Sequence, residues 1–263
     1  MMSSRSSNVV VFALCAAVLC SALVGCGKKG DKTSTNTRGG KTDTEGLTLA
    51  VVPKSTGGDF WETVEKGARN AAGELGCEIK WEGTVTETDI AEQNKILENI
   101  INLGVDGIAL APLNPQAQRK LVSRAVQAGI PVVIFDSNVM GDAHSSFVAT
   151  DNKEGGRIGG RQLAKLLGGE GRVMLMRYVQ GTGSTEARAD GFLEIAKQEN
   201  LPVGVDVYPE TGTVEGCKNG AANALQGFVD DGKLELDGIF ACNLYSTLGV
   251  ASALDDLRKG GVT

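Results

Sequence analysis

Histidine is almost absent from this sequence, which has a single histidine, His144, among 263 residues. A metal site built from several histidines is therefore excluded, and so is the helical HExxH zinc motif. The sequence also has no Gly-x-Ser-x-Gly nucleophile motif, and no GxGxxG loop follows the first predicted strand. These absences predict a protein that is not an enzyme and that uses no cofactor and no metal ion.

Cysteine is scarce beyond the N-terminal region. Of six cysteines, Cys77, Cys217 and Cys242 are the three that follow residue 26. An odd number without CxxC spacing predicts neither a disulfide framework nor a zinc site. The sequence leaves open whether Cys217 and Cys242 pair in an oxidising compartment.

An excess of positive charge is also lacking, since the formal net charge is −6. The residues before position 47 are net cationic, so the rest of the chain is more acidic than the whole. An acidic body argues against nucleic acid as a partner, because phosphate backbones are bound by Lys and Arg. It suits a neutral or cationic small ligand.

The first 26 residues have the pattern of an export signal. Arg5 precedes an apolar run, Val9–Val24, which is shorter than the roughly 20 residues of a membrane-spanning helix. Leu23-Val24-Gly25-Cys26 resembles the bacterial lipobox, in which the cysteine is lipidated through its thiolate. We expect residues 1–26 to be a lipoprotein signal peptide, Cys26 to carry the lipid, and the protein to be exported and membrane-anchored, in the periplasm or on the cell surface. The alternatives are an ordinary cleaved signal and an uncleaved anchor.

Residues 27–46 consist of Gly, Ser, Thr, Asn and charged residues and have no large apolar side chain. A segment of this composition cannot bury enough surface to offset the entropy lost on ordering. We expect a flexible linker between the membrane and the folded part of the chain.

From residue 47 onward, short apolar runs alternate with stretches of helical periodicity. Predicted strands begin near residues 47, 77, 106, 131, 146, 172, 202 and 237. This alternation predicts βα units, and spacings of about 25–30 residues fit one unit each. We predict an α/β fold of two doubly wound parallel-sheet lobes, residues 47–150 and 151–263, joined near Ala149–Asn152. Such sheets bind ligands at the carboxyl ends of their strands.

The apolar stripes also predict which helix faces are buried. In the first helix the stripe consists of Phe60, Val64, Ala68, Ala71 and Leu75. A later helical stripe begins at Ala221 and ends at Val229.

Several phrases together resemble the periplasmic ribose-binding protein family, the type I fold of ABC solute receptors, over about residues 47–263. They are AVVPKSTGGDFWETVEKGARNAAGELG, NIINLGVDGIALAPLN, AGIPVVIFDSN, VATDNKEGGRIGGRQLA, GTGSTEARADGFLEIAK and DGIFACN. The resemblance implies a substrate-binding lipoprotein of an ABC importer, with two lobes that close on a monosaccharide or similar polyol. Its implied partners are the sugar and a membrane permease, and it implies a monomer when complete.

The resemblance implies five ligand-binding residues in the first lobe. Phe60 and Trp61 stand where the family has two aromatic rings that stack on sugar C–H surfaces, although Phe60 also fits a helix core position. Asp136 matches an Asp that accepts hydrogen bonds from two sugar hydroxyls, with a turn or helix cap as the alternative. Ser137 replaces the Arg that commonly follows. Lys54 resembles the lysine of relatives that bind the furanosyl signal autoinducer-2, with an ordinary surface lysine as the alternative.

Two further ligand-binding residues are implied in the second lobe. Arg188 matches an Arg at the start of a helix, whose planar fork suits paired oxygens, and the alternative is a solvated helix residue. Asn243 matches an Asn that both donates to and accepts from hydroxyls, and the alternative is a helix N-cap.

Departures from the family leave the ligand open. Ser137 removes a charge, and Thr211–Thr213 replaces a segment with an aromatic ring in the ribose receptor, so D-ribose itself is not the expected ligand. A receptor for an autoinducer-2-like furanosyl signal and a chemotaxis sensor are alternatives. A sugar-responsive transcription regulator shares the same core, but here no helix-turn-helix precedes it. The family continues beyond the position matching Thr263, so we expect the second lobe to be incomplete.

Overall fold

The computed structural model describes Thr44 and residues 46–263, in which strands and helices alternate along the chain. The strands are β1 (Thr48–Val52), β2 (Glu78–Trp81), β3 (Gly107–Leu110), β4 (Val132–Phe135), β5 (Ser146–Val148), β6 (Val173–Met176), β7 (Val203–Val207), β8 (Val229–Asp230), β9 (Lys233–Leu234) and β10 (Gly238–Ala241). The helices are α1 (Asp59–Leu75), α2 (Ile90–Leu103), α3 (Arg119–Gln127), α4 (Asn152–Leu167), α5 (Gly183–Gln198), α6 (Val214–Gln226) and α7 (Leu244–Lys259).

Two parts of the sequence prediction lie outside the described residues. They are the signal peptide with its lipidation site, Cys26, and the linker 27–46 apart from Thr44 and Gly46.

The chain forms two parallel sheets, one in the N-terminal half (residues 46–150) and one in the C-terminal half (residues 151–263). The first sheet has the strand order β2-β1-β3-β4-β5, and all of its neighbouring strands are parallel. The second sheet has the order β10-β6-β7 and is also parallel. The prediction of an α/β fold with parallel sheets is confirmed.

The first sheet packs one face against α2 and α3. Side chains that alternate along its strands join buried residues of the two helices in one hydrophobic cluster. The strand members of that cluster are Ala50, Val52, Ile108, Leu110, Val132 and Ile134. Successive strand residues point to opposite faces, so Val133 and Phe135 lie on the other face, where Trp61 of α1 packs edge-on against Phe135.

The second sheet is packed on both faces. Val173 and Leu175 of β6 belong to a cluster with residues of α4 and α5, whereas Met174 and Met176 belong to a cluster with residues of α6 and α7. Helices therefore cover both sides of this sheet, as a doubly wound arrangement requires.

The predicted stripe of α1 is correct only in its middle, where Val64 and Ala68 are partly buried. Trp61 and Ala72 are buried, whereas Phe60 and Leu75 at the ends of the predicted stripe are about half exposed. The inner side of α1 runs from Trp61, which reaches the first sheet, through Val64 and Ala68 to Ala72, whereas Phe60 borders the loops beside the sheet.

A short antiparallel hairpin, β8–β9, interrupts the predicted order, because Val229 lies in β8 and not in a helix. Asp231 and Gly232 make the two-residue turn, with φ of 44° and 74°. An Asp-Gly pair is a strong sequence signal for such a turn, because both residues tolerate positive φ.

Candidate functional site

The loops that follow the parallel strands surround a cavity. Lys54 and Asp136 come just after β1 and β4, and Asn243 comes just after β10, so the carboxyl ends of strands from both sheets meet here. The cavity has a volume of about 100 Å³. It is lined by Lys54, Phe60, Trp61, Glu87, Asp136, Ser184, Thr185, Arg188, Asn243, Leu244 and Tyr245.

A buried ion pair joins Lys54 to Asp136. The ammonium nitrogen of Lys54 lies 2.6 Å from Oδ2 of Asp136, and Lys54 is only 1% exposed. The same ammonium donates to the hydroxyls of Ser137, at 2.5 Å, and Ser184, at 3.2 Å. An ammonium has three N–H donors, so these three partners satisfy it completely. Lys54 is therefore not the surface lysine considered as an alternative.

Ser137 links the two halves of the chain. Its hydroxyl accepts a hydrogen bond from the backbone N–H of Ser184, the second residue of α5, at 3.0 Å. Ser137 does not line the cavity, because it is buried between Lys54 and the start of α5. As a direct ligand contact Ser137 stays a prediction, whereas its observed contacts tie the loop after β4 to α5.

The backbone of Asp136 adopts a left-handed conformation, with φ of 61°. Such a conformation is uncommon for a residue other than Gly, although Asp and Asn adopt it more readily than most, and it concentrates at functional sites. Hydrogen bonds from Lys54 and the Ser137 hydroxyl converge on Oδ2. Among the described residues Oδ1 has no hydrogen-bond partner, so it is the oxygen available to a ligand.

The two adjacent aromatic residues play different parts. Trp61 is 1% exposed, and its indole N–H donates to Oε1 of Glu87 at 2.7 Å. Phe60 is 48% exposed, borders the cavity, and meets Trp61 edge-on with ring centroids 4.9 Å apart. The pair therefore presents apolar ring surface to the cavity while the polar atom of the indole is satisfied by Glu87.

Arg188 reaches the cavity from the first half of α5. Its Nε donates to Oδ1 of Asn152 at 2.9 Å, and one terminal nitrogen donates to the carbonyl of Cys242 at 3.0 Å. Neither partner is charged, so the guanidinium keeps an unneutralised positive charge beside the cavity. Arg188 is thus partly buried and held by two hydrogen bonds, and it is not a solvated helix residue.

Glycines allow the helices that carry Arg188 and Asn152 to touch. A Cβ added at Gly156 of α4 would lie 2.0 Å from the carbonyl oxygen of Arg188, and one added at Gly191 of α5 would lie 2.0 Å from that of Lys153. The two backbones are in direct contact at these positions. This close approach brings the Asn152 side chain within reach of Arg188.

Asn243 caps α7. Its side-chain oxygen accepts from the backbone N–H of Ser246 at 2.9 Å, and the Ser246 hydroxyl accepts in return from the backbone N–H of Asn243 at 3.0 Å. This capping box confirms the helix-cap interpretation. The side-chain nitrogen remains as a donor, so a ligand contact by Asn243 stays a prediction.

Five residues that line the cavity were not predicted from the sequence. They are Glu87, Ser184, Thr185, Leu244 and Tyr245. Glu87 lies in a polar loop between β2 and α2, where no pattern marks it. Burial raises the pKa of its carboxyl above the usual 4.5, and the charge of Lys54 partly offsets this effect. Tyr245 stacks on Tyr178 with centroids 5.9 Å apart. A signal existed only for Leu244 and Tyr245, which directly follow the predicted Asn243.

A charged cluster supports the start of α5 next to the cavity. Both Nε and a terminal nitrogen of Arg177 bind the carboxylate of Asp206, at 2.6 and 2.9 Å, and the other terminal nitrogen binds Glu186 at 2.8 Å. Glu186 also accepts from the backbone N–H of Gly181. These bonds raise the pKa of Arg177 and fix the first turn of α5. The same helix carries Ser184 and Arg188.

Within the described residues, two other kinds of site are absent. Within residues 46–263 and Thr44, no three His, Cys, Asp or Glu side chains are placed to share a metal ion. The same residues include no helix with the length and hydropathy to cross a membrane. Cys77, Cys217 and Cys242 are free thiols.

Comparison with known proteins identifies the family. The sequence profile of the periplasmic binding protein domain matches residues 49–263. A D-ribose/D-allose-binding protein of Pseudomonas aeruginosa is 29% identical over 81% of this chain and 67% of its own length. The ribose import binding protein RbsB of Bacillus subtilis is 27% identical over 81% of this chain and 67% of its own.

Solved structures agree with these relatives. A carbohydrate transporter solute binding protein from Agrobacterium radiobacter, in complex with D-arabinose, has a TM-score of 0.76 and 30% identity, covering 83% of this chain and 74% of that one. A solute binding protein from Agrobacterium vitis with bound D-fucose has a TM-score of 0.75 and 33% identity, covering 81% and 73%. All four relatives are named as binding proteins, which confirms the prediction that this chain is not an enzyme. The chain belongs to the periplasmic binding protein domain family.

Proposed function

We propose that this protein is the substrate-binding lipoprotein of an ABC importer and that it captures a monosaccharide or similar polyol without altering it. The observation that carries the proposal is the cavity between the strand ends of the two halves, which combines aromatic rings with charged hydrogen-bonding groups. The relatives named for binding ribose, allose, arabinose or fucose support the same ligand class.

The cavity suits a sugar in both chemistry and size. Phe60 offers half-exposed ring surface to the C–H surface of a sugar, with the buried Trp61 in contact behind it. Asp136, Arg188 and Asn243 offer an acceptor and donors to hydroxyls. One water needs roughly 10–15 Å³ of such space, so about 100 Å³ admits several heavy atoms and no long oligosaccharide.

Residues 47–150 and 151–263 would act as two lobes that close on this ligand. Contacts from both halves support the idea, because Phe60, Trp61 and Asp136 come from the first and Arg188 and Asn243 from the second. A ligand that touches both lobes favours the closed state, since only that state offers all of its contacts.

Lipidation of Cys26 would hold the protein at the outer face of the cytoplasmic membrane, or at the cell surface, near its permease. A Cys26→Ser variant lacks the sulfur that carries the lipid, so it is expected to lose labelling by radioactive palmitate while wild type retains it. A Cys20→Ser variant, changed inside the apolar run, is the matched control. Labelling of Cys26→Ser would contradict the lipobox interpretation.

Isothermal titration calorimetry with D-ribose, D-allose, D-arabinose, D-fucose and simple polyols tests sugar capture directly. We expect binding of at least one of them, and Asp136→Ala should weaken it by about 2–4 kcal/mol, because a charged acceptor in a desolvated site is lost. Asp142→Ala, an exposed aspartate in the following loop, should bind as wild type does. Absence of binding across the panel would overturn the proposal.

A furanosyl signalling molecule is the second candidate ligand. It is favoured by the placement of Lys54 in the cavity wall, where the resemblance to autoinducer-2 receptors predicts it. Adding autoinducer-2 to the same titrations distinguishes the two candidates, and Lys54→Met should then abolish binding of the signal by removing the partner of Asp136.

A further inference from the structure

Glu87 is the charged residue of the cavity that the resemblance does not account for. It stands in the loop between β2 and α2, and its Oε1 accepts the indole N–H of Trp61 at 2.7 Å. Because Glu87 lines the cavity, its carboxylate faces the same space as the ring of Trp61.

The hydrogen bonds of this carboxylate are incomplete. An ionised carboxylate offers about four lone-pair sites, and within residues 46–263 the indole N–H of Trp61 is the one protein group that donates a hydrogen bond to Glu87. Glu87 is partly buried beside the cavity, and a carboxylate that is partly removed from water is stabilised by further hydrogen bonds. The second oxygen, Oε2, is therefore placed to receive a donor from a ligand.

The neighbouring cations do not neutralise Glu87. Lys54 is committed to Asp136, Ser137 and Ser184, and Arg188 to Asn152 and the carbonyl of Cys242. Lys54 and Arg188 act on Glu87 through space, and Asp136 opposes them. Tyr178 and Tyr245 are the other titratable groups that interact with it. Burial outweighs these attractions and raises the pKa of the Glu87 carboxyl.

We propose that Glu87 is a specificity-determining residue, whose Oε2 accepts a hydrogen bond from one hydroxyl of a sugar seated against Trp61. This inference rests on the proposed function and deepens it by naming a ligand class. The ligands are sugars with a hydroxyl at the ring position that faces Oε2, bound in preference to the analogues that lack this hydroxyl. A site that presents a buried acceptor rejects a ligand lacking the matching donor, because the acceptor is then left unpaired.

The ligand-free protein provides a first readout. Glu87→Gln retains the shape and an oxygen for the indole N–H but removes the buried charge. At neutral pH the variant should melt at a higher temperature than wild type. A raised native pKa makes the ionised form of wild type unfavourable, so the difference should vanish as the pH falls below about 4.5, where Glu87 is protonated in both folded and unfolded states.

Ligand binding provides the second readout. The wild-type protein, Glu87→Gln and the matched control Glu82→Gln, whose carboxylate pairs with Lys80 away from the cavity, are titrated with the best-binding sugar of the panel and each of its monodeoxy derivatives. In wild type and in Glu82→Gln, loss of one particular hydroxyl should weaken binding roughly 10- to 100-fold. In Glu87→Gln the same loss should matter about threefold or less.

Trp61→Phe tests whether Glu87 recognises the sugar itself or only positions the indole ring of Trp61. This variant loses affinity but retains Glu87, so discrimination against the same deoxy sugar should persist. If Glu87→Gln weakens every derivative by the same factor, or weakens none, Glu87 only orients Trp61 and the inference is wrong. If wild type binds no sugar of the panel, the proposed function itself has failed, and this outcome is distinct from the other two.

Discussion

The internal strands β4 and β6 are both runs of four apolar residues, yet they are buried differently. All four residues of β6 have no exposed surface, because helices cover both faces of the second sheet. In β4, Val132 and Ile134 are buried, whereas Val133 and Phe135 on the other face are only partly so. A strand of continuous apolar residues can therefore be buried on both faces or mainly on one. The helices packed on each face of the sheet decide which case applies.

The largest expected effects come from β6, where one residue on each face can be tested. Met174→Ala and Leu175→Ala should each lower the free energy of unfolding by about 2–5 kcal/mol, because each leaves a cavity in a different packed cluster. Urea denaturation followed by circular dichroism measures both. A large loss for one variant and a negligible loss for the other would contradict packing on both faces.

In β4 the corresponding pair should be unequal. Ile134→Ala removes a fully buried side chain from the cluster with α2 and α3 and should cost about 2–5 kcal/mol. Val133→Ala, on the partly exposed face, should cost about 1 kcal/mol or less, because little buried apolar area is lost. The same denaturation experiment compares them, and equal losses would show that the two faces are packed alike.

The smallest effect, an absence of reaction, is expected at the two cysteines of the second half. Cys217 belongs to the cluster on one face of the second sheet and Cys242 to the cluster on the other, so the structure keeps them apart. Burial raises the pKa of the Cys217 thiol to about 11 and that of Cys242 to about 12. At pH 8 neither is a thiolate, and neither should react with iodoacetamide.

Peptide mass spectrometry after alkylation checks this at each site. The half-buried Cys77 of the first half should be modified in the folded protein, and all three cysteines in urea. Modification of Cys217 or Cys242 without denaturant would indicate that the second sheet is covered less completely than its burial implies.

The alternation of strands and helices was predictable except for the β8–β9 hairpin, because hydrophobic periodicity reports local structure directly. Each predicted strand start lies within one residue of the observed one. The sequence did not show which of two neighbouring residues at the start of α1 is buried. Phe60 and Trp61 are adjacent and both apolar, and only the position of Phe135 and Glu87 shows that Trp61 is the buried one.

The candidate site was predictable where a residue adjoins a strand end. Asp136 follows β4 directly, and Asn243 follows β10 after one intervening residue. The end of each strand therefore placed them, and the resemblance supplied their expected roles. Glu87 follows no strand directly and belongs to no motif. Its contact with Trp61 joins residues 26 positions apart, and such a pairing arises only from the packing of α1 beside the loop before α2.

By itself the sequence determined the βα order, the parallel sheets and the family, since these follow from local periodicity and from phrases that can be read along the chain. Only the tertiary structure decided the electrostatics of the cavity. Lys54 could be read as a surface lysine or a ligand contact, and it is a buried cation held by Asp136, Ser137 and Ser184. The energy of a charge depends on its burial and its partners, and those partners lie up to 130 residues away in the chain.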